Sequence, residues 1–399
     1  MDEHRAIAFD LPTPDQMRSR GGLKWSVQAD IAAWVAESDF GTAPAVTAAV
    51  LDAVQRGLTG YLPAGLRHDL ADACARWHLD RYGWAVDADL VQPVGDVLDA
   101  LRITLAHYSR PGSAVIVPTP AYMPFVTAPQ AWGRQVVEVP MVDGTDGRPT
   151  LDLDAIEAAF AAGGHLVVLT NPHNPTGRVH TRAELLALAE VVERHGGRVF
   201  ADEIHAPLVY AGTRHIPYAS LTASTAAHTV TATSASKAFN VPGLKCAQIL
   251  LSNEADAAVW RPIAQYLSAG ASTLGAVANI AAYRSGGPWL DGVITYLDGN
   301  RRALRDTLAA CAPRVRYVLP EGTYLAWLDL REAMSVRKQD AGLRTEGGGR
   351  ELEQPAPDGL DDLAGWLLAG TGVALVDGSA CGRAGRGFVR LNLAMPRPL

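Results

Sequence analysis

His165-Leu166-Val167-Val168-Leu169-Thr170-Asn171-Pro172-His173-Asn174-Pro175-Thr176-Gly177 opens as an apolar run and breaks into a turn of asparagine, proline and glycine. The run has the length of a strand, and its end is marked by residues that stop one. Just beyond it, Thr181 and Glu184 form a capping-box signature. Leu185, Leu186, Leu188, Ala189, Val191 and Val192 then supply one apolar helix face, and Gly196-Gly197 closes it. Strand-length apolar runs recur at 198–201 and 229–233, and another precedes at Val115-Ile116-Val117. Strand, helix and strand in alternation predict an α/β fold, a parallel sheet wrapped by helices.

In such sheets ligands collect beyond the carboxyl ends of the strands. Tyr122, Asn174, Asp202 and Lys237 each stand at or shortly after a predicted strand end, so four separate segments converge on one mouth. After about residue 290 the pattern changes to a helix over 296–311 and a strand-like stretch over 322–328, which predicts a smaller α+β domain. A chain of 399 residues exceeds one compact core. The expected division is 1–45 as a segment joining the small domain, 46–290 as the large domain and 291–399 as the small one. Residues 335–359, rich in charge, glycine and proline, read as a surface insert.

A net charge of −7 and a pI near 5.9 argue against nucleic acid or an anionic membrane as main partner and leave small molecules. The opening Met1-Asp2-Glu3-His4 lacks a basic segment followed by an apolar run, and no stretch reaches the roughly 18 apolar residues of a spanning helix, so a soluble cytoplasmic protein is expected. Cys74, Cys246, Cys311 and Cys381 are far apart and read as reduced thiols. The histidines form no H-E-x-x-H pattern, and no metal is called for.

Of the 35 basic residues only Lys24, Lys237, Lys245 and Lys338 are lysines. Lys237 ends Ser234-Ala235-Ser236-Lys237, downstream of the Asn174 turn and of Asp202-Glu203-Ile204-His205. An aldehyde cofactor needs an amine to form an imine, a carboxylate to keep its ring nitrogen protonated and a donor against its phenolate oxygen. Lys237, Asp202 and Asn174 can supply these in turn, which describes a pyridoxal 5'-phosphate site. The Ser234 hydroxyl and the Lys245 ammonium can meet its phosphate. The same four residues also fit S-x-x-K, where serine is a nucleophile, but that reading needs a K-T-G strand and the chain has none. Asp202 alone could merely pair with an arginine, and His205 could be structural or could approach the phenolate oxygen.

Gly95-Asp96-Val97 opens a helix through 108 and can present the amides of Asp96 and Val97 to phosphate. The Asp96 carboxylate is unfavourable beside a dianion unless its side chain turns back to cap the helix. Tyr122 can stack on a ring or belong to the core. Arg390 stands in the apolar stretch Gly387-Phe388-Val389-Arg390-Leu391-Asn392, where an unpaired charge is costly and a substrate carboxylate is the natural bidentate partner.

These residues resemble a known family. Lys24-Trp25, Trp34-Val35-Ala36 with Asp39-Phe40, Gly60-Tyr61, Ala121-Tyr122-Met123-Pro124-Phe125, the Asn171 to Gly177 string and Asp202-Glu203-Ile204-His205 carry the resemblance. It continues through Ser236-Lys237-Ala238-Phe239-Asn240, Gly243-Leu244-Lys245-Cys246-Ala247, Trp289-Leu290-Asp291 and Gly322-Thr323-Tyr324-Leu325-Ala326-Trp327 to the Arg390 strand. Over nearly its whole length the chain resembles the fold type I pyridoxal-phosphate enzymes of the class I/II aminotransferase superfamily, in the cystathionine β-lyase (C–S lyase) branch typified by MalY and PatB. This implies an α/β fold whose large domain has a mostly parallel sheet of the seven-stranded type sandwiched by helices, with a smaller α+β domain.

The resemblance implies that Lys237 carries the cofactor covalently, that Asp202 holds its ring nitrogen, and that Asn174 and His205 approach the phenolate oxygen with Tyr122 stacked on the ring. It implies phosphate binding by Ser234, Lys245 and the amides of Asp96 and Val97, joined by Tyr61 from a second subunit of a homodimer. Arg390, with the backbone near Ala36, would take the substrate carboxylate; Lys237, Tyr122 and Asp202 are the catalytic candidates. Four features depart from the pattern: Glu37-Ser38 before Asp39, Asp96 in the phosphate turn, Cys381 where an aromatic residue is usual, and the long insert after Ser335. The implied activity is α,β-elimination from an S-substituted L-cysteine. The rivals are transamination, decarboxylation or oxidative deamination on the same scaffold, and a regulatory or binding protein that retains the fold.

Overall fold

A computed structural model describes residues 9–144, 146–340 and 360–399. Its centre is a sheet of seven strands: β1 (Val91–Val94), β2 (Ala114–Thr119), β3 (Val136–Pro140), β4 (Gly164–Thr170), β5 (Arg198–Asp202), β6 (Thr229–Thr233) and β7 (Ala247–Leu251). They lie in the order β1-β7-β6-β5-β4-β2-β3. Only β7 runs against its neighbours β1 and β6; the other pairings are parallel. The mostly parallel sheet is as expected.

Side chains alternate between the two faces of each strand, and here both faces are covered. Val115, Val117, Leu166, Val168, Phe200 and Val230 pack on one side with Leu101 and Ile103 of α1 (Val97–His107) and Phe125 of α2 (Met123–Ala131). Ile116, Val167, Leu169, Val199 and Ala201 pack on the other with Leu185, Leu188 and Val192 of α3 (Arg182–Arg194). Two-sided burial is why these strands read as unbroken apolar runs. α3 starts on the capping box, with the Glu184 carboxylate accepting the Thr181 amide at 2.7 Å and the Thr181 hydroxyl oxygen accepting the Glu184 amide at 3.3 Å.

A second sheet is antiparallel throughout: β8 (Arg316–Tyr317), β9 (Leu325–Asp329), β10 (Val376–Asp377) and β11 (Phe388–Asn392), in the order β8-β9-β11-β10. Three expectations need correction. The helix expected over 296–311 begins earlier, as α4 (Gly287–Cys311), because Pro288 sits in the first turn where its missing N–H is not needed. α4 runs unbroken across the boundary drawn at 290/291. The strand expected from 322 starts at Leu325, since Gly322 instead bridges to Val209 and Thr323 turns with a φ of +65°. The insert expected from 335 is helical at first, as part of α5 (Arg331–Asp340), while 341–359 lie outside the described residues. Near the amino end, Ile31–Ala32 pairs in parallel with Val373–Ala374. Among the described residues no helix is long and apolar enough to cross a membrane.

Candidate active site

The carboxyl ends of β5 and β6 face the amino end of α1 and the Asn174 turn that follows β4, and between them lies a cavity of about 280 Å³. Ala36, Asp96, Val97, Tyr122, Asn174, Asp202, His205, Ser234, Lys237 and Lys245 all line it, together with Gly95, Ser236 and Cys246. Arg390 reaches its edge from β11, with Nη1 donating to Asn174 Oδ1 at 3.0 Å and Nη2 to the Trp34 carbonyl at 3.1 Å. Ten of the twelve residues singled out in the sequence therefore line one cavity, and Arg390, bonded to Asn174 of that lining, adjoins the cavity without lining it. A second cavity of about 240 Å³, beside Trp327 and Phe388, has no lysine in its lining.

Lys237 Nζ donates to the Ala36 carbonyl at 3.1 Å. Burial, then the positive charge of Arg390, bring this ammonium down to about 8, against the opposing pull of Glu37 and Asp202. Asp202 closes β5, and its carboxylate accepts the Ile204 amide at 3.2 Å. Burial pushes it up to about 7; the Ile204 amide opposes the rise, Glu203 adds to it, and Lys237 lowers it. His205 is pulled down to about 3 by burial and by the cations Lys237 and Arg390, so at neutral pH its ring is uncharged. Its ring meets Tyr324 edge-on at 5.8 Å. Tyr122 precedes α2 and sets its ring perpendicular to Phe125 at 5.3 Å.

At the α1 end, Asp96 does turn back to cap the helix, its Oδ1 accepting the Asp99 amide at 2.8 Å. Its Oδ2 holds Lys245 Nζ at 2.8 Å. The Ser234 hydroxyl donates to the Cys246 carbonyl at 2.7 Å and accepts the Ser236 amide at 3.0 Å. Both side chains expected to meet phosphate are thus engaged within the chain. Tyr61 is the residue that the chain does not bring to this cavity: it is 101% exposed, on a separate surface beside Tyr266.

Several groups that shape the site escaped the sequence reading. The Tyr324 hydroxyl donates to the Ala36 carbonyl at 2.9 Å, beside Lys237. Asn392 Nδ2 donates to the carbonyls of Val35 and Glu37, both at 2.7 Å. Asn240, three residues after Lys237, donates to the Ser38 carbonyl and accepts its amide, both at 2.8 Å. A signal for these existed only in the Gly322 to Trp327 string, the Ser-Lys-Ala-Phe-Asn string and the strand carrying Arg390, since each acts on backbone far away in sequence.

Pyridoxal phosphate fits what this cavity leaves unmatched. Among the described residues the buried Asp202 carboxylate has a single amide for partner, and His205 Nδ1 and Arg390 Nε, both buried, have none. A protonated ring nitrogen would match the carboxylate, and a bound anion the guanidinium.

The family described as aminotransferase class I and II matches residues 35–398. Cystathionine beta-lyase of Corynebacterium glutamicum is 38% identical over 339 residues, 84% of this chain and 89% of that protein. Cystathionine beta-lyase PatB of Bacillus subtilis is 33% identical over 361 residues, 90% and 87% of the two chains. The structure of the PLP-bound C-S lyase from Staphylococcus hominis matches with a TM-score of 0.83 at 26% identity, over 98% of this chain and 95% of that one. With that span and those identities, the chain belongs to the class I and II aminotransferase family, in the branch that holds the cystathionine β-lyases.

Proposed function

We propose that this protein is a pyridoxal-phosphate-dependent C–S lyase that performs α,β-elimination on an S-substituted L-cysteine. The observation that carries the reading is Lys237, a buried amine lowered to about 8 and set in one cavity with the under-partnered Asp202 and Arg390. When bound, the cofactor supplies a protonated ring able to take up the electrons of a broken Cα–H bond.

The chain's own residues do the rest. Arg390 receives the substrate carboxylate, its guanidinium already oriented by Asn174 and the Trp34 carbonyl. Lys237 Nζ, unprotonated, accepts the Cα proton. Asp202 would keep the ring nitrogen protonated, Asn174 and His205 would hold the phenolate oxygen, and Tyr122 would support the ring. The amides of Asp96 and Val97 would hold the phosphate together with Lys245, and the Ser234 hydroxyl, which now donates to the Cys246 carbonyl, would turn to it. The Cα electrons close a Cα–Cβ double bond as the Cβ–S pair leaves on sulfur, and the proton held by Lys237 passes to the thiolate, so the products are a thiol and an enamine that water converts to pyruvate and ammonia.

The full exposure of Tyr61 supports a homodimer in which this ring completes the partner's site. The reading places the enzyme in the cytoplasm, where free thiols such as buried Cys74, Cys246 and Cys381 persist. It also takes 46–290 as the cofactor-binding domain, with 1–45 joined to a smaller domain over 291–399. Incubation with L-cystathionine and with a bulky cysteine S-conjugate, with and without a keto acid, tests the activity. Pyruvate and free thiol formed without keto acid are expected; turnover that depends on keto acid would overturn elimination in favour of transamination.

A further inference from the structure

Asp96 is the departure in the phosphate turn whose consequence the structure makes concrete. Its carboxylate already takes the kinds of donor a phosphate would take, the Asp99 amide at the start of α1 and the Lys245 ammonium, each at 2.8 Å. Burial pushes this carboxyl up, but the hydrogen bonds from Lys245 and the Asp99 amide outweigh it and hold the group below the ordinary carboxylate range, so it is an anion at neutral pH. Lys245 is held from both sides, with φ at +47° and its carbonyl accepting the Ser272 amide at 2.8 Å. The neighbouring Asp99 carboxylate is engaged by Arg102 at 2.6 Å and adds no free cation. The side-chain charge at this end of the cavity therefore sums to zero, one ammonium against one carboxylate.

We infer that Asp96 competes with the cofactor's phosphate for Lys245, so that this enzyme holds pyridoxal phosphate less tightly than the same cavity without that carboxylate would. The inference rests on the pyridoxal-phosphate reading of the cavity. Phosphate enters as a dianion, and to reach the α1 amides it must draw Lys245 off Asp96 while lying next to the displaced carboxylate. One like charge at ~4–5 Å in partly hydrated surroundings is worth about tenfold or more in affinity. The competition acts on the phosphate alone; the ring end of the cofactor does not feel it.

The test uses Asp96→Asn, which keeps the size and the helix-capping acceptor while removing the charge. The full-length chain, freed of cofactor, is titrated with pyridoxal phosphate and separately with unphosphorylated pyridoxal, by quenching of protein fluorescence. The variant should bind pyridoxal phosphate about tenfold more tightly and pyridoxal as the parent does. Unchanged or weaker binding of pyridoxal phosphate, or an equal gain for pyridoxal, overturns the proposal. Asp96→Ser, also a good cap, repeats the measurement if the asparagine variant folds poorly. Failure of the cofactor reading itself shows up separately, as a parent protein that binds neither aldehyde and yields no borohydride-trapped Lys237.

Discussion

Lys237 is the residue at which burial and chemistry coincide. Its ammonium lies near 8 where an ordinary lysine lies at 10.5, so between those values this amine is neutral while surface lysines are still charged. Covalent trapping of pyridoxal phosphate by borohydride, mapped by peptide mass, should therefore speed up with pH and level off just above about 8. Trapping that keeps accelerating toward pH 10 would remove the lowered amine. Asp202 has the opposite sign. Its folded-state value of about 7 lies above the unfolded 3.8, so the cofactor-free fold is favoured below that lower value and loses stability as pH rises through 7. Asp202→Asn should raise the melting temperature of the cofactor-free protein at pH 8 while abolishing turnover; a lowered melting temperature would contradict this. Both residues were legible in the sequence because they stand at or shortly after strand ends and carry rare chemistry. The Lys245–Asp96 pairing was not, since 149 residues separate its partners and only folding brings them to 2.8 Å.

Among the elements, the irregular stretch over 34–38 does more than its lack of regular structure suggests. Its carbonyls serve Arg390 at Trp34, Asn392 at Val35 and Glu37, and Lys237 and Tyr324 at Ala36. What fixes the stretch is a buried ion pair: Lys24 Nζ meets Asp39 Oδ2 at 2.8 Å and also donates to the Glu37 and Ala394 carbonyls, while Trp25 Nε1 donates to Asp39 Oδ1 at 2.8 Å. Lys24→Met leaves Asp39 buried without its cation and should cost on the order of 3–5 kcal/mol by denaturant unfolding. KM for amino-acid substrates should rise with it. Lys24→Met combined with Asp39→Leu should recover much of the stability, and no recovery would argue against the pair as the cause. Lys24-Trp25 and Asp39-Phe40 were visible as motifs, but their purpose was hidden, because it is exercised through backbone carbonyls that no side-chain pattern encodes.

At the scale of the molecule, the Asn174 turn is clamped between the two sheets. Arg178 spans Glu184 of α3 at 2.7 Å and Glu321 ahead of β9 at 2.6 Å, and the Gly177 carbonyl accepts the amides of Glu321 at 2.8 Å and Gly322 at 3.0 Å. Gly177 has φ at +70°, and a Cβ there would come within 2.3 Å of Pro320. Gly177→Ala should therefore destabilise the protein by about 1–3 kcal/mol through crowding and backbone strain, read as a lower denaturant midpoint. A midpoint equal to the parent's would show that the contact yields freely. Assembly has its own test: mixing Tyr61→Phe with Lys237→Ala should restore part of the activity if subunits share sites, and inactive verified heterodimers would exclude sharing. The alternation of strands and helices made the larger sheet legible in advance. The smaller one was harder to bound, because its strands are short, and two of its four have only two residues.

The stretch over 34–38 enters the fold by way of Ser26, Gln28 and Asp30, all exposed. A protease that nicks the chain there would leave every reacting side chain in place and sever the covalent link between the cavity wall and Lys24, whose ion pair with Asp39 steadies it. Digestion at that spot, slowed or not by a bound amino acid, thus reports from outside whether a ligand steadies that wall.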